Sequence, residues 1–205
     1  MSEERAASHP AGPAPARAAL SEALECVLNR GSRRNPDVLL VRHQGRLLVV
    51  KDFAQRGLMV RTFLGPWLAR RELRAWRALD GHPAVPRFVG AIDRLAFAVE
   101  YRPGRTLFGV WGQPLAEGFL AQLEEALSEM HRRGVAHLDL KNRTNVLSDE
   151  HGRPVLIDFG SALVFRPGSA QARVLLPLFA WFDRRALHKW LTKQTKRKRR
   201  IRERW

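Results

Sequence analysis

Between His137 and Gly160 the chain carries side chains suited to handling a phosphate. The segment reads His-Leu-Asp-Leu-Lys-Asn-Arg-Thr-Asn-Val-Leu, then a turn, then Val-Leu-Ile-Asp-Phe-Gly. Asn145 and Asp158 are oxygen donors at either end of what the pattern predicts to be one β-hairpin. Asp139 and Lys141 stand just upstream. Mg2+ prefers hard oxygen ligands and keeps several waters, so two protein side chains suffice to seat it. A carboxylate base, an ammonium and such a seat are what phosphoryl transfer from a metal-bound nucleotide requires.

The elements that must position these groups are legible in the pattern. Residues 1–19 hold Pro10, Gly12, Pro13 and Pro15 among alanines, which predicts a disordered tail. Leu20–Leu28 is apolar with no clear period, a short helix or a first strand. Asn29–Pro36 is a basic, turn-rich loop. Asp37–Arg42 and Arg46–Phe53 read as strands around the turn His43-Gln-Gly45. Pro66–Leu79 reads as a helix with Leu73, Trp76 and Leu79 along one face, and Asp80-Gly81-His-Pro83 ends it. Phe88–Ile92 and Leu95–Tyr101 form a second strand pair, followed by a hinge at residues 102–104. Leu115–Arg133 is an amphipathic helix with Phe119, Leu123, Leu127 and Met130 at helical spacing, closed by Gly134. The hairpin region, residues 144–160, comes next, then a last helix over about Leu178–Leu191. A β-rich first half and a helical second half predict a two-lobed α+β molecule with a cleft at the hinge.

Composition narrows the partners. The chain has 205 residues, enough for one domain or two small lobes, and a net charge of +16. Such a surface favours nucleic acid, acidic lipid or phosphorylated glycan without choosing among them. One cysteine, Cys26, excludes an internal disulfide, suits a reducing cytoplasm and reads as a small core residue. Glu3 and Glu4 occupy the place of a basic signal-peptide start. The apolar run Val174–Phe182 is too short to span a bilayer, which needs roughly 20 apolar residues.

On these motifs, and over roughly residues 24–192, the chain resembles the protein-kinase-like superfamily, as a small atypical serine/threonine kinase homologue of RIO-like or lipopolysaccharide-core-kinase-like type. The resemblance implies an N-lobe at 20–101, a hinge at 102–104, a reduced helical C-lobe at 105–192 and a basic tail at 193–205. It implies that Lys51, in Val-Val-Lys-Asp, holds the α- and β-phosphates of ATP and pairs with Glu72 on the following helix. Asp139 would be the catalytic base and Lys141 the cation on the transferring phosphate. His137 would brace the loop, and Asn145 and Asp158 would hold Mg2+.

The departures are specific. Asn stands five positions after the loop aspartate in the general pattern, and Asn145 stands six after Asp139. Either the loop carries one inserted residue or Asn142 takes the metal. Asn145 is preferred because Val146-Leu147 follows it directly. Leu138 replaces the motif's arginine, no Ala-Pro-Glu follows Asp-Phe-Gly, and no G-x-G-x-x-G is present. Gly31 and Ser32, in the basic loop, would approach the phosphates instead. With 45 residues after Gly160, a full helical docking lobe is not expected.

Nine Lys/Arg lie between Lys189 and Arg204, and Leu187, Trp190 and Leu191 make an apolar face just before the tail. That segment suits an anionic membrane surface or RNA. The expected function is transfer of the ATP γ-phosphate to a hydroxyl acceptor, a protein Ser/Thr or a membrane-surface glycan. The expected place is the cytoplasm or the inner face of its membrane. The alternative is a pseudokinase that binds an anionic partner without chemistry.

Overall fold

Alternating apolar residues build one face of a sheet wherever the chain has room for a tight turn, and the first half of the molecule follows that rule. The computed structural model describes residues 12–110, 113 and 115–202. Strands β1 (Leu24–Asn29), β2 (Asp37–His43) and β3 (Arg46–Asp52) are joined by β4 (Phe88–Ala91) and β5 (Ala96–Glu100) in one antiparallel sheet of order β1-β2-β3-β5-β4. The β2–β3 turn is Gln44-Gly45, with φ of 50° and 75°. Positive φ at both central residues is the geometry that matches strand twist in a two-residue hairpin. The ambiguous segment after Leu20 is therefore a strand from Leu24 onwards. Cys26 on it is exposed, not a core residue, because β1 lies at the sheet edge.

The two faces of the sheet have different covers. Val49 and Lys51 share the face turned to helix α1 (Gly65–Ala78), which buries Leu73 and Trp76, with Leu79 just beyond it. The opposite face buries Val41, Leu48, Val50, Ala96 and Ala98 under Leu20, with Ala14 and Ala23 packed alongside. The expected disordered tail thus needs correcting from residue 12 onwards; residues 1–11 lie outside the described residues. A 3-10 turn, Arg17–Ala19, aims Arg17 at Asp52 (2.9 Å) and also at Asp93. The ion pairs fix a segment whose composition alone reads as disordered.

Helix α1 also begins differently from expectation. A π turn, Val60–Leu64, runs directly into it, and Pro66 sits one residue past the join. Proline has no N–H and its ring collides with the carbonyl four residues back. The wider i→i+5 turn, closed by the Gly65 N–H on the Val60 carbonyl, removes that collision.

The second half is helical with two small sheets. Strands β6 (Gly104–Thr106), β8 (Val146–Asp149) and β9 (Pro154–Leu156) form one; β7 (Val135–Ala136) and β10 (Leu163–Val164) form the other. Gly104, expected in the hinge, belongs to β6. Helix α2 runs Phe119–Arg132, four residues later than expected at its start, because Gly118 is left-handed (φ 77°) and breaks the helical path. The last helix, α3, is longer than expected, Ala170–Arg202, and carries Pro177 inside it. Its Leu187 and Trp190 are buried in the main core instead of forming an outward apolar face. The side chain of Leu191 and residues 203–205 lie outside the described residues. The main core is continuous from α1 through Phe97 and Phe159 to α2 and α3.

Candidate active site

Period-two geometry on β3 turns Lys51 toward α1, and the helical phase that buries Leu73 and Trp76 turns Glu72 back toward the strand. Lys51 Nζ donates to Glu72 Oε1 at 2.7 Å and to Asp158 Oδ1 at 2.7 Å. Burial alone would lower the Lys51 pKa, but Glu72 and Asp158 outweigh it and the ammonium sits above its ordinary value. Lys51 in turn pulls Asp158 below the usual carboxylate range. Burial pushes Glu72 up against the pull of Lys51. Trp76 Nε1 supports the pair by donating to Glu72 Oε1 at 3.2 Å.

Asp158 follows β9 with φ 63°. A non-glycine residue in this region is uncommon and is held by its surroundings. The hold comes from Phe159, which is fully buried between Trp76 (ring centroids 4.9 Å, edge-on) and His137 (5.0 Å). This column of rings links the loop to α1 and so couples the position of Asp158 to that of Glu72.

The loop from His137 to Asn145 is tied at several points. His137 is buried, and its Nε2 donates to the Ile157 carbonyl at 3.1 Å while Nδ1 accepts the Asp139 N–H at 3.4 Å. Asn145 is 3% exposed. Its Nδ2 donates to the Asp139 carbonyl at 3.1 Å and to Asp139 Oδ2 at 2.9 Å. Asn142 is used otherwise: its Oδ1 accepts the Thr144 N–H at 3.2 Å and the Thr144 hydroxyl at 2.7 Å, capping the 3-10 turn Arg143–Asn145. That turn lies within the six-residue spacing from Asp139 to Asn145. Lys141, within the loop, is exposed.

The basic loop joins β1 to β2, but its glycine is engaged. The Gly31 N–H donates to Asp37 Oδ1 at 2.8 Å, and its carbonyl accepts from Arg56, which also pairs with Asp37. A Cβ on Gly31 would lie 2.2 Å from the Asn35 carbonyl and 2.3 Å from that of Pro36. Glycine is required here to close the loop on itself, and Asp37 has taken its amide. Ser32 sits on the exposed tip, where the Asn35 N–H closes a turn on its carbonyl at 2.8 Å.

Asp183, on α3, is a positioning residue that the sequence reading missed. Its Oδ2 accepts the His137 N–H (2.8 Å) and His131 Nε2 (3.0 Å), and its Oδ1 accepts the Leu138 N–H (2.8 Å). Leu138, in place of the motif's arginine, has φ 65°. The carboxylate holds that strained backbone directly before Asp139. One signal was present: Asp183 is the lone acid between Asp158 and Glu203, inside an apolar helical run. Arg71 is a second missed anchor, bonding from α1 to the Ser161 (2.7 Å) and Ala162 (3.4 Å) carbonyls.

Comparison with known proteins bears on this geometry. The protein kinase domain family model matches residues 37–179. Serine/threonine-protein kinase chk1 of Schizosaccharomyces pombe is 32% identical over 113 residues, 49% of this chain and 22% of that protein. CBL-interacting serine/threonine-protein kinase 15 of Arabidopsis thaliana is 34% identical over 99 residues, 44% of this chain and 23% of that one. The chain thus spans less than a quarter of the length of these two relatives. Among solved structures, the Rio2 kinase–ADP/Mg2+–phosphoaspartate complex of Chaetomium thermophilum superposes with a TM-score of 0.62 at 18% identity, covering 87% of this chain and 59% of that one. The α+β, kinase-like fold is common to both. With a family match across most of its length, the chain belongs to the protein kinase domain family.

Proposed function

We propose that the chain is an ATP- and Mg2+-dependent phosphotransferase that moves the γ-phosphate of ATP to a hydroxyl. The observation that carries this reading is Lys51 joining Glu72 and Asp158 at 2.7 Å each, with Asp139 and Asn145 locked together in the loop that leads into β8. The site fits the ion. Asp158 is held ionised by Lys51, and its side chain is 48% exposed. Asn145 spends its Nδ2 on Asp139, and its Oδ1, which also accepts from the Thr144 hydroxyl at 3.3 Å, would be the ligand atom. Among the described residues no cluster of three His, Cys, Asp or Glu could hold a metal, so a cation here would complete its shell with phosphate oxygens and water, as Mg2+ does. Mg2+ bound there would offset the charge on the phosphates.

The residues take the following roles. Lys51 binds the α- and β-phosphates, fixed in position by Glu72. Asp139 orients the acceptor hydroxyl and takes its proton as the new O–P bond forms. The bond from the γ-phosphorus to its bridging oxygen breaks, and ADP leaves with that electron pair. Lys141 neutralises the transferring group. The exposed tip at Ser32, with Arg33 and Arg34, would cover the phosphates in place of a glycine-rich loop. The acceptor is a protein Ser/Thr or a glycan hydroxyl at a membrane surface, met on the cytoplasmic side. A pseudokinase is the second reading, favoured by the engagement of the Gly31 amide with Asp37.

The test supplies γ-labelled ATP with cell extract split into protein, lipid and RNA fractions, using the wild-type chain and Asp158→Ala. Label enters one fraction with the wild type and falls at least about 100-fold with the variant. Full transfer by Asp158→Ala refutes the assignment. Stabilisation by Mg·ATP without label transfer to any fraction selects the pseudokinase.

A further inference from the structure

Helix α3 has two unlike faces. The inner one carries Asp183 to the catalytic loop and buries Ala180, Ala186, Leu187 and Trp190. The outer one exposes Val174 (73%), Leu178 (52%), Trp181 (50%) and Phe182 (48%), with Leu175 beside them. Their spacing of four, three and one residues places them on one stripe of a 3.6-residue helix. Five large apolar side chains on successive turns form a contiguous patch, unlike the single exposed apolar residues of an ordinary surface.

The charge around the stripe selects its partner. Over Ala170–Arg202 the helix carries eleven Lys/Arg and one acid, Asp183, which is 1% exposed and faces inward. Arg173, Arg184, Arg185 and Lys189 are exposed around the stripe, and Arg185 lies over the Trp181 ring at 5.1 Å. No helix among the described residues is long and apolar enough to cross a membrane. An apolar stripe rimmed by cations, with no exposed acid, is the pattern of a helix lying in the plane of an anionic lipid surface. RNA would use the cations but has no partner for Val174, Leu175 and Leu178.

We propose that the outer face of α3 docks on an anionic lipid bilayer. Because Asp183 leaves the opposite face of the same helix, docking holds the catalytic loop about one helix diameter, roughly 10 Å, from the headgroups. The surface goes beyond the phosphotransfer assignment and stands whether or not transfer occurs.

The experiment is flotation of the full chain with vesicles of phosphatidylcholine alone and with half phosphatidylglycerol, at two salt concentrations. The comparison variant is Val174→Glu with Leu178→Glu, two exposed positions away from the loop. Thermal melting and the Mg·ATP-induced shift serve as fold controls. The wild type floats with the anionic vesicles and less so at high salt, while the variant, folded and still stabilised by Mg·ATP, binds at least about tenfold more weakly. Equal flotation with both lipids, or unchanged binding by the folded variant, overturns the proposal. So does a wild-type dimer that the variant disperses, or RNA binding that the same substitutions abolish without any lipid binding. Should the double variant not fold, Val174→Glu alone carries the comparison under the same criteria.

Discussion

Asp183→Asn isolates the contribution of one buried carboxylate to the loop His137–Asn145. The side chain is 1% exposed and accepts three N–H groups, from His137, Leu138 and His131, at 2.8, 2.8 and 3.0 Å. Asparagine matches the shape but offers one acceptor oxygen and one NH2 group. Its best orientation keeps oxygen at the Oδ2 position, serving His137 and His131. The NH2 then faces the Leu138 N–H, donor against donor. Losing a hydrogen bond to a charged group costs about 1.5–3 kcal/mol. The two remaining bonds weaken when the charge is removed, which is partly offset because a buried anion no longer has to be desolvated. A net destabilisation of about 2–3 kcal/mol follows, or roughly 5–10 °C in Tm for a chain of this size. The functional effect is larger. Leu138, at φ 65°, is no longer held, and Asp139 moves with it. A displacement of about 1 Å costs on the order of 100-fold in rate. Asp183 bonds to His137, Leu138 and His131 and not to Lys51 or Asp158, so stabilisation by Mg·ATP survives. Differential scanning fluorimetry with and without Mg·ATP, beside a single-turnover transfer assay, separates the two effects. Wild-type Tm and rate in the variant would refute the positioning role. Rate loss that merely tracks lost nucleotide binding would refute it as well.

Two further outcomes are expected. In Gly31→Ala the new Cβ meets the carbonyl oxygens of Asn35 and Pro36 at 2.2 and 2.3 Å, and backbone cannot yield as a side chain would. The β1–β2 loop opens, Tm falls by several degrees and the Mg·ATP shift shrinks; an unchanged melt would show that the loop is not closed as described. The pH response involves His82, whose burial lowers its pKa. Its neutral ring suits both neighbours, with Nε2 donating to the Ala126 carbonyl at 3.1 Å and Nδ1 accepting the Ala84 N–H at 3.1 Å. The unfolded chain takes up a proton near pH 6.5 where the folded chain does not, so this contribution to stability is lost as pH drops below about 6.5. Urea midpoints between pH 7.5 and 5.5 should fall more steeply for the wild type than for His82→Gln, and parallel slopes would rule out His82 as the cause.

How much of the site was readable followed the range of the interactions. Asp139, Asn145 and Asp158 sit on one hairpin and the loop before it, so local order and strand spacing locate them. Lys51 and Glu72 came from the family resemblance alone, and burial of one face on β3 and on α1 then leaves each the orientation that brings them together. Sheet strands were legible because alternation with period two is a local signal, and the helix bodies because apolar spacing is. Their ends were less so: Pro66 stands inside a helical path that only the π turn makes possible, and Gly118 delays α2 by its backbone sign.

What remained hidden depends on partners distant in the chain. Arg17 joins Asp52 and Asp93, 35 and 76 residues away, and turns an Ala/Pro segment into the cover of the outer sheet face. Asp183 reaches residues 45, 46 and 52 positions back, with no local motif to announce it. The two apolar faces of α3 show the same limit. The sequence determines that the helix is apolar, cationic and nearly free of acid. Only packing decides that Leu187 and Trp190 turn into the core while Val174, Leu178 and Trp181 face outward. A chain's local order specifies which chemistry it carries; the long-range contacts that close the core decide which groups are held rigid and which surface is left to meet a partner.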